Sequence, residues 1–343
     1  MNAVLQTTQE DMQDHALGAL KGLSLGDALG MPTQSMSDEW ISRAYGRVDG
    51  LRDAIADQPI APNMPAGSVT DDTEQAMLVG RLIIEGHGHI DPESLAHTLL
   101  AWEDDMRARG SLDLLGPSTK LALEQVRDGA DIATTGRTGT TNGAAMRVTP
   151  VGIAHDVNAE GFTDYVYESC RVTHNTFHGF ASAFLVAAAV SFGVNGNGPR
   201  QALNGAICAC DDLDRRGAWS PKADVVARVR SAVILSDSEK DDTAFLSRLR
   251  TDIGTSVESN ESVAAAFALA WRFADRPLDA LLAAANIGGD TDTIAAIAGA
   301  MLGACLGPAA FPDKLTAKVS QVSHLDLPSM ADALLMVRNL GRD

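Results

Sequence analysis

The sequence predicts an all-α protein that folds as a single compact multi-helix domain. Apolar residues recur at helical spacing along most of the chain, and alanine is abundant in those stretches. Runs that alternate between polar and apolar residues, which would indicate strands, are too short to build a sheet. With 343 residues, of which 45% are hydrophobic, the chain can bury a large core. We therefore expect one helical domain over residues 13–343, after a loose polar segment over residues 1–12.

The first helix is expected over residues 15–29, where glycines lie among apolar residues and would permit close packing of a second helix. Met31-Pro32 is expected to end it. Residues 33–69 are rich in proline and glycine and predict a long ordered loop over the functional site, with one helix near residues 37–45.

The remainder of the chain predicts one helix after another, separated by capping and turn signals such as Asp91-Pro92 and Arg276-Pro277. The expected helices cover residues 73–86, 92–108, 116–128, 142–154, 160–170, 177–194, 199–214, 220–235, 259–274, 277–286, 291–306, 312–320 and 325–340.

The most informative stretch runs from Asn286 to Thr293 and reads Asn-Ile-Gly-Gly-Asp-Thr-Asp-Thr. It places Asp290 and Asp292 at the start of a very apolar helix, where backbone amides and the helix dipole favour anions. Taken alone, the pattern fits a doubled helix cap as well as a cation site.

A second stretch of the same kind, Thr70-Asp71-Asp72-Thr73, precedes another apolar helix far upstream. If the two helix starts face each other, their oxygen atoms suffice for two divalent ions that share ligands and activate water. The predicted metal ligands are Thr70, Asp71, Asp72, Asp290, Asp292 and Thr293.

The formal net charge of −18 is spread along the chain and argues against polyanionic partners. So acidic a surface repels phosphate backbones and anionic membranes, so we expect neither nucleic acid nor membrane as a partner. An anionic substrate would have to be attracted locally, by metal ions and helix N-termini.

The cysteine pattern and the absence of targeting signals predict a cytoplasmic protein. The four cysteines lie in apolar surroundings, and we expect buried, reduced thiols. The N-terminus has no signal-peptide pattern, and the longest apolar stretch, residues 180–192, is short for a bilayer span. The oligomeric state stays open.

The chain resembles the ADP-ribosylglycohydrolase family, which includes the dinitrogenase-reductase-activating glycohydrolases. The resemblance implies an all-helical fold, a central site with two Mg²⁺ ions (or Mn²⁺) that holds the ribose hydroxyls of ADP-ribose, and hydrolysis of the bond from that ribose to a protein side chain or small acceptor. The matching segments are Gly26-Asp-Ala-Leu-Gly-Met-Pro32, Thr70-Asp-Asp-Thr73, Asn142-Gly-Ala-Ala-Met-Arg147, Thr173-His174 and Gly288-Gly-Asp-Thr-Asp-Thr293.

The chain departs from the family pattern at the positions that would supply the general base. Several relatives carry a glutamate where this chain has Gln34, and an amide is not a useful base. Other relatives use an aspartate before an Ile-Gly pair, but the matching position is Leu114, with Asp113 one residue away. The candidates for holding the attacking water are Asp113, Asp71 and Asp292, and Gln34 is expected to contact substrate.

Further substrate contacts are expected from three segments. The resemblance places Asn142 and Gly143 at the pocket wall and His174 near the ribose or phosphates; a structural role is the alternative for each. Asp27 either caps a neighbouring helix or supports a metal ligand. Gly254, Thr255 and Ser256 form a small polar loop that suits a pyrophosphate cradle or, equally, an ordinary capped connection.

Two other functions stay open at this stage. The departure at Gln34 suits a protein that binds ADP-ribose or a nucleotide without hydrolysing it. A metal-dependent hydrolase of a small nucleoside or phosphate ester would use the same constellation.

Overall fold

A computed structural model of the protein describes residues 8–111 and 115–340. In that part of the chain, all regular elements are helical, and only three isolated β-bridges occur. The α-helices are α1 (Gln9–Gly30), α2 (Asp38–Tyr45), α3 (Asp71–Glu85), α4 (Pro92–Ala108), α5 (Pro117–Arg127), α6 (Gly143–Met146), α7 (Thr149–Ala154), α8 (Phe162–Cys170), α9 (Phe177–Val194), α10 (Pro199–Ala209), α11 (Val225–Ser238), α12 (Asp242–Arg248), α13 (Ser259–Arg272), α14 (Pro277–Ile287), α15 (Thr291–Leu306), α16 (Asp313–Val322) and α17 (Leu327–Leu340).

The all-helical prediction is confirmed, and helices α4, α9 and α15 begin and end at the predicted residues. The predicted helix over residues 142–154 is wrong, because it is interrupted between α6 and α7. Pro150 lies in the first turn of α7 and has no N–H group to donate to the preceding turn, so one continuous helix cannot form there.

Helix α12 and the π-helical turn Leu249–Ile253 that follows it were not predicted. Their segment is mostly polar, but Phe245, Leu249 and Ile253 recur every four residues and are buried. That stripe was the available signal, and the charged residues around it obscured it.

The N-terminal helix begins earlier than expected, so residues 9–12 are helical rather than loose. Thr8 caps it: its hydroxyl accepts a hydrogen bond from the Asp11 amide at 3.1 Å, and the Asp11 carboxylate accepts one from the Thr8 amide at 3.1 Å.

Helices α1 and α15 form the centre of the fold and pack with their backbones almost in contact. A Cβ atom at Gly22 would lie 2.0 Å from the Gly299 carbonyl oxygen, and one at Gly26 would lie 2.1 Å from that of Ala295. Only glycine fits at such an approach, which confirms the role predicted for the glycines of α1. This packing sets the end of α1 beside the start of α15, where Gly30 lies against Asp292.

Helix α9 is the one helix in the described residues that is long and apolar enough to cross a membrane, and 89% of it is buried inside the protein. It packs against α10, α15 and α7 as a core helix. The four cysteines are free thiols; Cys170 and Cys305 are buried as expected, whereas Cys208 is exposed.

Candidate active site

The aspartate at the end of α1 fixes the start of α3. Both Asp27 oxygens are buried, and they accept hydrogen bonds from the amides of Thr70 and Thr73 at 3.0 Å and from the two hydroxyls at 2.8 and 2.5 Å. Burial raises the pKa of Asp27 to about 6, against the opposing effect of these bonds. These bonds form a helix cap, and the bond to the Thr70 hydroxyl also supports a predicted metal ligand, so both interpretations of Asp27 fit the structure.

The two Asp/Thr motifs, from opposite ends of the chain, lie side by side. The Thr293 hydroxyl donates a hydrogen bond to Asp72 Oδ2 at 3.3 Å, across 221 residues of sequence. Asp72 is fully buried, and its Oδ1 atom has no hydrogen-bond partner among the described residues. Burial raises the pKa of Asp72 well above its usual range, and the negative charges of Asp292 and Asp71 add to the effect.

Asp290 is held from two sides at the start of α15. Its amide donates to the Thr255 carbonyl at 2.7 Å, and its Oδ2 accepts a hydrogen bond from Asn142 Nδ2 at 2.5 Å. Gly288 and Gly289 precede it with φ angles of 84° and 87°, which only glycine adopts easily, and they carry the chain into this turn. Burial raises the pKa of Asp290 as well, although the Asn142 bond acts the other way.

The donor set at this point suits hard divalent cations. Within residues 8–111 and 115–340, the groups available here are carboxylate and hydroxyl oxygens, and the Asp72 Oδ1 atom is buried without a hydrogen-bond partner. In residues 8–111 and 115–340, however, no three acidic, histidine or cysteine side chains already form a metal-binding group. The Thr70 hydroxyl is also engaged, since it donates to Asp27 and lies 3.2 Å from Asp72 Oδ2.

A cavity of about 240 Å³ opens directly beside the acidic cluster. Its wall includes Gln34, Ser35 and Ile60, which confirms that the long loop after α1 reaches the site. Gln34 is buried, and its Nε2 atom has no hydrogen-bond partner in the part of the chain that the structure describes. The remaining lining residues are Asp71, Leu115, Gly116, Pro117, Thr119, Thr141, Asn142, Gly143, Met146, Val257, Asp290, Asp292 and Thr293.

Of the other residues predicted to contact substrate, some line the cavity and some do not. Asn142 and Gly143 line the cavity, as expected. His174 is fully buried behind Gly143 and does not line it; a Cβ atom at Gly143 would lie 3.0 Å from the His174 ring. Asp113 and Leu114 fall outside the described residues.

The polar loop over Gly254, Thr255 and Ser256 is not part of the cavity wall, which Val257 forms instead. The Ser256 amide donates to Glu261 Oε2 at 3.1 Å, so a carboxylate already occupies the expected phosphate cradle. The predicted pyrophosphate contact is therefore not supported. The loop supports the site through the Thr255 carbonyl that holds Asp290.

The contacts of Gln75 and Arg147 beside the acidic cluster were not predicted from the sequence. Gln75 Nε2 donates to Asp71 Oδ2 at 3.3 Å, and Arg147 Nη1 donates to Gln75 Oε1 at 3.2 Å. Burial lowers the pKa of Arg147 to about 10. The i,i+4 spacing of Asp71 and Gln75 on one helix was a signal for their contact.

Comparisons with known proteins agree with this architecture. The family model described as ADP-ribosylglycohydrolase matches residues 8–343. An uncharacterized protein, YegU of Escherichia coli K12, is 31% identical over 328 residues, which are 95% of this chain and 97% of that protein.

The ADP-ribosyl-[dinitrogen reductase] glycohydrolase of Rhodospirillum rubrum is 24% identical over 340 residues, covering 97% of this chain and 99% of the relative. Among solved structures, an ADP-ribosylglycohydrolase-related protein complex superposes with a TM-score of 0.70 at 23% identity, over 96% of this chain and 99% of the other. At that identity the superposition shows the shared fold.

Proposed function

Because the chain belongs to the ADP-ribosylglycohydrolase family of glycosidic-bond hydrolases, we propose that it is a magnesium-dependent enzyme that releases ADP-ribose from an ADP-ribosylated side chain or small acceptor. The observation that carries the proposal is the junction of the two Asp/Thr motifs, marked by the Thr293–Asp72 hydrogen bond, at the wall of a cavity.

The residues that would hold two Mg²⁺ ions are Thr70, Asp71, Asp72, Asp290, Asp292 and Thr293. Bound ions would supply positive charge that offsets the carboxylates and polarises the ribose oxygens. The raised pKa values of Asp72 and Asp290 support this assignment, because burial disfavours both charged carboxylates and, at Asp72, the negative charges of Asp292 and Asp71 add to the effect.

The side chains around the cavity would orient the ribose and limit the access of water to it. Gln34 lines the cavity, and its Nε2 atom would donate a hydrogen bond to substrate or to a water molecule. Asn142 donates to Asp290 and to Ser262, and so fixes a carboxylate that would face the ribose. The loop that contributes Ser35 and Ile60 covers one side.

In the proposed reaction, the oxygen of a water molecule bonds to the anomeric carbon, and the bond from that carbon to the acceptor atom breaks. The bonding electrons leave with the acceptor, which takes up a proton, and a carboxylate accepts a proton from the attacking water. Asp71 and Asp292 line the cavity and are the described candidates for that carboxylate.

The acidic surface and the free thiols support the remaining assignments. We propose a cytoplasmic enzyme whose partner is a protein-linked or small-molecule ADP-ribose conjugate, and not nucleic acid or a membrane.

The test is ADP-ribose release from arginine-linked and serine-linked conjugates, measured with Mg²⁺ and with chelator. We expect turnover of at least one conjugate that chelator abolishes. Asp71→Ala and Asp292→Ala should abolish it too, and Asp313→Ala, on an exposed side chain, should leave it unchanged. Release from no conjugate, or release that chelator does not affect, would overturn the proposal.

Gln34 favours one second candidate, a protein that binds ADP-ribose without hydrolysing it. An amide, which is not a useful base, stands in the cavity wall at the position where several relatives carry a glutamate. Tight binding of ADP-ribose without turnover of any conjugate would support this candidate over the enzyme.

A further inference from the structure

A chain of buried hydrogen bonds runs from Arg147 to the wall of the cavity. Arg147 Nη2 donates to Thr173 Oγ1 at 2.6 Å, Thr173 Oγ1 lies 2.8 Å from His174 Nδ1, and His174 Nε2 lies 3.1 Å from Thr141 Oγ1. The first three residues are fully buried, and Thr141 lines the cavity.

The chemistry of the first member sets the direction of every later bond. A guanidinium has donors only, so Thr173 Oγ1 must accept from Arg147. The hydroxyl proton of Thr173 then goes to its other partner, His174 Nδ1. Burial and the charge of Arg147 lower the pKa of His174 well below its usual range, so the ring is neutral and carries its one proton on Nε2.

The opposite tautomer is disfavoured by the same bonds. With a proton on His174 Nδ1, the Thr173 oxygen would accept from both neighbours. Its own proton would then have no acceptor among the described residues, at a fully buried position where such a loss is costly.

The last bond leaves a free donor at the cavity. Because His174 Nε2 donates to Thr141 Oγ1, the hydroxyl proton of Thr141 points away from the ring. No acceptor for it occurs in the part of the chain that the structure describes, and the side chain lines the cavity.

We propose that Arg147, acting through Thr173 and His174, positions the Thr141 hydroxyl as a hydrogen-bond donor to an anionic oxygen of the substrate. The substrate part rests on the proposed function, because phosphate oxygens of ADP-ribose accept hydrogen bonds and donate none. Arg147, Thr173 and His174 are positioning residues in this scheme, and Thr141 is the contact.

The same guanidinium also orders a residue that contacts the acidic cluster. Arg147 Nη1 donates to Gln75 Oε1, which fixes the Gln75 amide so that its Nε2 faces Asp71. The buried Arg147 guanidinium thus orients two hydrogen-bond donors. The Gln75 amide faces the acidic cluster, and the Thr141 hydroxyl faces the cavity.

The ring nitrogens of His174 provide the first test, which needs no substrate. In ¹⁵N NMR spectra of the full-length protein at neutral pH, we expect a neutral ring with the proton on Nε2. Thr173→Val should shift the ring to the Nδ1–H tautomer or to a mixture. Thr316→Val, which alters a buried threonine of α16, should not. A wild-type ring with its proton on Nδ1, or a Thr173→Val spectrum like that of the wild type, would overturn the proposal.

Binding of ADP-ribose provides the second test. Thr141→Val should raise the Kd about 10-fold or more, as expected for a lost hydrogen bond to a charged group, and Thr141→Ser should restore most of the affinity. If wild-type protein binds ADP-ribose and Thr141→Val binds it equally well, the inference fails while the proposed function stands. If wild-type protein does not bind ADP-ribose, the proposed function fails together with this substrate assignment. The His174 tautomer measured by NMR then tests the positioning role of Arg147, Thr173 and His174.

Discussion

Replacing Asp72 by asparagine should stabilise the metal-free protein. Among the described residues, the Asp72 Oδ1 atom has no hydrogen-bond partner, and the negative charges of Asp292 and Asp71 act on this buried carboxylate. An unsatisfied buried polar group costs about 1–3 kcal/mol, and a neutral asparagine removes the repulsion from Asp71 and Asp292. With an unfolding entropy of about 2.1 cal/mol/K per residue, 1 kcal/mol corresponds to about 1.4 °C in a chain of 343 residues. Relief of this cost should raise the Tm by roughly 1.5–4 °C.

Asp27 is the matched control, because it is equally buried and should respond in the opposite direction. Its two oxygens accept hydrogen bonds from Thr70 and Thr73. Asparagine has one accepting oxygen, so Asp27→Asn leaves donors unsatisfied at the start of α3. A loss of about 1.5–3 kcal/mol should lower the Tm by roughly 2–4 °C.

Differential scanning calorimetry in chelator and in Mg²⁺ measures both effects. At 100 times the Kd, a ligand of the folded state stabilises by about 2.7 kcal/mol, which is roughly 4 °C here. Wild-type protein should show this shift with Mg²⁺, and Asp72→Asn should not. The reasoning would be refuted if Asp72→Asn lowered the Tm in chelator, or if it kept the full Mg²⁺ shift.

Two further predictions concern the rest of the fold. His155 stacks on Tyr165 with ring centroids 3.7 Å apart, and burial lowers its pKa from 6.5 to about 4. The unfolded chain therefore takes up a proton in this range before the folded protein does, and stability that is complete above pH 6.5 falls as the pH decreases to 4, by roughly 3 kcal/mol. His155→Phe should remove that part of the pH dependence in urea unfolding, and an unchanged slope would contradict the assignment. Gly22→Ala should destabilise the protein by about 1–3 kcal/mol or more, because the added Cβ would meet the Gly299 carbonyl; Gly50→Ala, which has open space, should change stability little, and equal Tm values for the two variants would refute the close packing.

The features that the sequence predicted correctly are those encoded by residue patterns within a single segment of the chain. The glycines of α1 indicated a helix packed at close range, and the Asp/Thr helix starts indicated where carboxylates gather. Gly22 against Gly299 and Thr293 against Asp72 show both expectations in three dimensions.

The remaining features were missed for two reasons: some depend on side-chain contacts, and some local signals were given too little weight. Nothing near Gly254 in sequence shows that Glu261 turns back onto the Ser256 amide, and so the loop resembled an empty anion cradle. The position of His174, one residue behind the cavity wall, follows from its bond to Thr141 rather than from any local signal. Helix propensity likewise gave no weight to the missing amide of Pro150.

The central claim is that Asp71 and Asp72 meet Asp290 and Asp292 to hold divalent ions. The most direct measurement is a crystal structure of the protein soaked with Mn²⁺ and ADP-ribose, with anomalous scattering used to locate the metal. We predict anomalous peaks between the two acidic pairs, beside the ribose hydroxyls in the cavity. Bound ADP-ribose without an anomalous peak at these carboxylates would contradict the account.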